Sequence, residues 1–90
     1  MDKEMADALK FMLRASVLQQ IEDIIATCQR IPNNRDSRVA ILTRIRAWFP
    51  LAVAKWQTTT DGAQSTAEDV GFVVGLVREM LDELIQKEGN

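Results

Sequence analysis

Between Met5 and Ile31 apolar residues return at Leu9, Leu13, Val17, Ile21, Ile24, Ile25 and Cys28, the three-and-four spacing of one helical face. At about 100° per residue these positions fall within about 160° of arc. Met5 and Met12 widen one edge of that arc, and Phe11, Leu18 and Ile25 form a second line along the other. The combined arc exceeds about 200°, wider than a helix needs for covering one neighbour. The pattern predicts a first helix over about 5–31 that lies between two neighbours. Those neighbours are either the other two helices of the same chain or include a second copy of it.

A turn is expected at Ile31-Pro32-Asn33-Asn34-Arg35-Asp36, because Pro32 disfavours helix at Ile31 and Asn and Asp suit turn and cap geometries. Asp36 or Ser37 can then cap a second helix over about 37–56. Its apolar face reads Ile41, Leu42, Ile45, Trp48, Phe49, Ala52, Val53 and Trp56. Pro50 lies inside this pattern. It removes one N–H and crowds the carbonyl of Arg46, so a kink or a break is expected there. Residues 57–64 are polar and hold Asp61-Gly62, which predicts a second loop and the chain's most mobile segment. Ser65-Thr66-Ala67-Glu68 fits a capping box, with Ser65 as cap and Glu68 reaching back. It opens a third helix over about 65–87, whose inner face reads Val70, Val73, Val74, Val77, Met80, Leu81, Leu84 and Ile85.

These elements make an all-α fold, a three-helix bundle forming a single helical domain over 1–90. The rival arrangement is an open hairpin that dimerises into a larger bundle. The predicted core is Leu9, Leu13, Val17, Ile21, Ile24, Cys28, Ile41, Ile45, Trp48, Phe49, Val70, Val73, Val77, Leu81 and Leu84. A chain of 90 residues hides only about 60–65% of its unfolded surface, so that core is thin.

Charge changes the picture in the middle of the chain. The net charge is −2, but Arg30, Arg35, Arg38, Arg44, Arg46 and Lys55 crowd into residues 30–56 against Asp36 alone. Residues 57–90 hold seven acids against Arg78 and Lys87. Attraction between these segments inside one bundle is the expected explanation, with a basic face aimed at an acidic partner as the alternative. The single cysteine, Cys28, cannot form an internal disulfide. That favours a reducing compartment, and a cytoplasmic location is expected. Met1-Asp2-Lys3-Glu4 does not begin as a signal peptide does, and no apolar run approaches the ~20 residues that span a bilayer.

The chain has no histidine and no tyrosine. The usual general base near neutral pH and the commonest nitrogen ligand for metals are therefore missing. Cys28 falls on the apolar face, where a small buried hydrophobe is expected. Ser16, Ser37 and Ser65 have no visible activating partner. Glu79 and Glu83 share one side of the third helix with Asp82 nearby, but carboxylate metal sites in bundles also use histidine, so a solvated acidic face is expected. An enzyme, a metal site and a cofactor are not expected.

Three surfaces remain as candidates for recognition. Ala67, Gly71 and Gly75 place small residues at four-residue spacing along one edge of the third helix. Two internal glycines cost about 0.8–1.0 kcal/mol each relative to alanine, which close approach of another element would justify. Either Trp48, Trp56 or the first helix fills that edge, or a helix of another chain does. Phe72 lies opposite the inner face, as an exposed anchor or packed on the first helix. Phe11 and Leu18 edge the wide arc of the first helix. The third surface is the basic segment, where Arg35, Arg38, Arg44 and Arg46 could contact nucleic acid. With Ile41 at 0°, Arg38 falls near about 60°, Arg46 near about 140° and Arg44 near about 300°. The cations do not share one face, and the overall charge opposes phosphate binding. The expected function is a small protein–protein interaction module (an adaptor, inhibitor, chaperone or assembly factor) that acts by helix–helix contacts, in one reading as a homodimer. A nucleic-acid-associated regulator is the alternative, and no membrane partner is expected.

Overall fold

The computed structural model describes residues 2–59 and 66–90. Among them the chain forms three helices, α1 Lys3–Thr27, α2 Arg35–Gln57 and α3 Ala67–Gly89, and the fold is all-α. Each helix begins on a polar cap that satisfies one of the otherwise unbonded first-turn amides. Asp2 accepts from the Met5 N–H at 2.8 Å, Asn34 from the Ser37 N–H at 2.9 Å and Thr66 from the Asp69 N–H at 3.1 Å. The cap of α2 is thus Asn34, while Asp36 and Ser37 lie inside the first turn. Thr66 takes the capping role expected of Ser65, which moves the register by one residue away from the Ser65–Glu68 box. Residues 60–65, and with them Ser65 and most of the expected mobile loop, lie outside the described residues.

Two boundaries differ from the sequence pattern. α1 stops at Thr27, because Cys28 turns extended and donates its N–H to the Ile24 carbonyl at 2.9 Å. Ile31 then folds back against the core, so residues 28–31 form the turn rather than a last helical turn. α2 runs without a break through Pro50. Phe49, just before it, packs on the core, and Val53 beyond it faces α3. The same apolar phase therefore carries the helix across the missing N–H.

α3 is the central helix. It packs most extensively on α2 and less on α1, while α1 and α2 barely meet. Arg38 reaches Glu88 and Arg46 reaches Asp82, so α2 runs antiparallel to α3. The buried core is Ile21 and Ile25 of α1, Leu42 of α2, and Val77, Met80, Leu81 and Leu84 of α3. Leu13, Val17, Leu18, Ile41, Ile45, Phe49 and Ile85 pack around it. Burial is therefore concentrated in the second halves of α1 and α3 and the first half of α2.

Four residues expected in the core are exposed: Ile24, Cys28, Trp48 and Val73. Cys28 leaves the helical face because α1 ends before it. Ile24 and Trp48 would have filled the space between α1 and α2, but those helices barely touch. Val73 belongs to the half of α3 that lies ahead of the core. The shape agrees with this open packing. The radius of gyration is 14.5 Å, against about 12 Å for a compact chain of this length. The accessible surface is 6652 Å², against about 5,300 Å² for a compact monomer of this mass.

Candidate docking surface

The strongly exposed large apolar side chains are Met5, Phe11, Met12, Ile24, Trp48, Leu51, Trp56, Phe72 and Val73. All except Ile24 fall in the first half of α1, the second half of α2 or the first half of α3, the stretches that the core leaves out. Single exposed apolar residues are ordinary on a protein surface, whereas a concentration of them is not.

On α2 the outward face carries Trp48, 63% exposed, and Leu51, 71% exposed. One helical turn separates them, and together with Arg44, Ile45 and Ala47 they line a shallow open groove. Leu51 was legible as a signal, since it is a large apolar residue out of phase with the buried face of α2. Trp48 was not, because its phase matches the core. Nearby, Val53 and Trp56 of α2 face Val70, Val73 and Asp69 of α3 across a cleft of about 190 Å³.

The expected α3 edge is present and empty. Ala67, Gly71 and Gly75 are exposed, and a Cβ added at Gly71 or Gly75 would meet no atom within 4 Å. Neither tryptophan nor α1 fills it. Phe72 is exposed beside this edge. Phe11 is 68% exposed, but Leu18 is half-buried against the core and does not offer a free surface. The structure therefore joins Phe72 to the small-residue edge and separates Phe11 from Leu18.

The ion pairs are organised around α3, while Arg44 and Asp69 edge the apolar groove and cleft. Lys10 donates to Glu83 at 2.7 Å and to Glu79 at 3.1 Å, and Arg14 lies 3.5 Å from Glu83. Arg38 donates to Glu22 at 2.5 Å and to both carboxylate oxygens of Glu88. Arg46 pairs with Asp82. The bonds from Glu83 and Glu79 raise the Lys10 pKa above its ordinary value, against the opposing pull of burial. Those from Glu88 and Glu22 do the same for Arg38. The acidic side of α3 stays exposed to solvent, as the sequence suggests, and also serves as a row of acceptors for α1 and α2. Of the four arginines on which the nucleic-acid alternative rests, Arg38 and Arg46 are engaged inside the molecule. Arg35 reaches only its neighbour Asp36, at 3.7 Å, and Arg44 is exposed at the rim of the Trp48 groove. No described helix is long and apolar enough to cross a membrane. No family model matches the chain, and neither the curated proteins nor the solved structures contain a match.

Proposed function

We propose that the chain is a protein-binding module that recognises an apolar helical segment of another protein through Trp48, Leu51 and the α2–α3 cleft. The observation that carries this reading is the concentration of exposed large apolar side chains in the halves of the helices that the core does not use. Trp48 is the kind of residue that anchors an interface, because a large rigid ring desolvates much area at little conformational cost. Its neighbour Arg44 supplies the charged rim that interfaces retain. Such a module is an adaptor, inhibitor, chaperone or assembly factor. The absence of histidine and tyrosine from the sequence supports binding over catalysis, and the lone unpaired Cys28 supports a cytoplasmic setting.

The test is affinity capture from the source cells with three baits. The unaltered chain should retain a stoichiometric partner, and a Trp48→Glu/Leu51→Glu double variant should lose it. A Gln20→Glu bait, altered at an exposed position of α1 away from the groove, should keep it. Equal capture by all three baits would refute the reading.

A further inference from the structure

The basic segment from Arg30 to Lys55 divides in two. Arg38 is held by Glu22 and Glu88, and Arg46 by Asp82. Arg30, Arg44 and Lys55 are exposed, and none of the three has an ion-pair partner among the described residues. Arg44, Trp48, Leu51 and Lys55 follow one another at four-, three- and four-residue spacing, so they share one side of α2. Arg44 stands one turn before Trp48, and Lys55 one turn after Leu51. Arg44 also lines a second shallow depression with Arg30, Pro32, Ala40 and Ile41, which carries the groove on toward the turn between α1 and α2. Among the described residues no acidic side chain lines either stretch. Asp36, the acid of α2, lies 3.7 Å from Arg35. Asp23 of α1 lines a separate depression with Ile24, Thr27 and Cys28, and accepts from Gln19 at 3.0 Å. Asp69 edges the cleft on another side of α2, where Val53 and Trp56 lie.

We propose that the Trp48–Leu51 groove takes an acidic amphipathic helix of another protein, whose apolar side chains meet Trp48 and Leu51 and whose carboxylates meet Arg44 and Lys55. The inference rests on the reading of this groove as a docking surface and adds the charge of what docks there. Charge complementarity carries it. The two cations bracket the two apolar side chains and are free to pair, in a chain whose other basic side chains on α2 are already engaged by acids. Arg44 and Lys55 lie about 16 Å apart along the helix axis. An occupying helix of about three to four turns reaches both, with its apolar positions at three-and-four spacing between its acids. Charges at such a rim select the partner and speed its arrival, while the apolar centre holds it. A nucleic-acid strand fits less well. The floor of the groove is apolar, with Ile45 and Ala47 beside Trp48 and Leu51, and the net charge of −2 opposes a chain of phosphates.

A displayed library of helical peptides tests the proposal. Its apolar positions, at three-and-four spacing, are drawn from Leu, Ile, Phe and Met, and its flanking positions equally from Glu, Gln and Lys. Selection on the immobilised full chain at about 0.1 M salt should enrich Glu at the flanks. A synthetic peptide of the enriched sequence should bind about tenfold or more tighter than the same peptide with Lys in place of each Glu, and the gap should narrow as salt is raised. Arg44→Glu/Lys55→Glu should reverse the preference, with far-ultraviolet circular dichroism reporting that the variant keeps its helices. Enrichment of apolar stripes without a charge preference overturns this inference and leaves the docking reading standing. No enrichment, or equal enrichment on a Trp48→Glu/Leu51→Glu bait, overturns both. Two further outcomes overturn the acidic helix by naming another occupant. A chain that sediments as a dimer until Arg44→Glu/Lys55→Glu dissociates it has a second copy in the groove. A chain that binds single-stranded oligothymidylate, and loses it in that same variant, has a nucleic-acid strand there.

Discussion

The first half of α2 is held on the core, whereas much of its second half, Phe49 and Val53 apart, is bare. Leu42 is fully buried between α1 and α3, with Ile41 and Ile45 beside it and Arg38 and Arg46 tied to acids on either side. Farther along, Trp48, Leu51 and Trp56 stand in solvent on the same unbroken helix. The apolar content of the two stretches is similar. What differs is the supply of neighbours: the core that α3 builds with Leu81 and Leu84 closes over the first stretch, whereas Val70 and Val73 meet the second across an open cleft. A helix can therefore be specified along its whole length while its burial is specified over only part.

Substitutions should divide along the same line. Leu81→Ala removes a fully buried side chain and should lower the free energy of unfolding by about 2–5 kcal/mol, whereas Leu51→Ala should change it by less than about 0.5 kcal/mol. Urea unfolding of both variants measures the contrast, and equal losses would abolish the distinction between packed and bare stretches. Arg38→Gln strips Glu22 and Glu88 of their shared cation and should cost about 1–2 kcal/mol, a loss that a double variant with Glu88→Gln should partly cancel. Gly71→Ala and Gly75→Ala should each stabilise the chain by up to about 1 kcal/mol, since nothing stands where the new methyl group would go. A destabilising result would mean that the α3 edge is filled in solution.

The smallest effect is alkaline. The Lys10 pKa is raised in the folded chain, so its contribution is complete below the ordinary lysine value of 10.5 and is lost as pH climbs through the raised value. Thermal melting of the unaltered chain should fall off more steeply above about pH 10.5 than that of Lys10→Met. Parallel curves would show that the Lys10 pair adds nothing to stability.

Helix number, type and order were legible in the spacing of Leu9 to Ile25, Ile41 to Trp56 and Val70 to Ile85, because period alone marks a helix. The attraction between the basic and acidic segments was legible too, and it is realised as Arg38–Glu88 and Arg46–Asp82. The ends were less legible. Asn34 and Thr66 compete with Asp36 and Ser65 as caps, and all four residue types suit the role. Burial was least legible of all. Trp48 has the phase of a core residue, and no local pattern states that α1 and α2 stand apart. Leu18 failed as a candidate for the same reason reversed, since a residue at the edge of a wide arc is covered or not according to where the neighbour lies.

The central place of α3 has a consequence in time. α1 and α2 leave the ribosome before the helix on which both depend, and the two have little surface in common. Until residues 77–84 are made, Ile21, Ile25 and Leu42 have nothing to close over them. A purified chain of residues 1–59 should therefore be digested by protease like an unfolded polypeptide, and the chain of residues 1–90 should resist. Resistance in the shorter chain would show that the first two helices associate without the third.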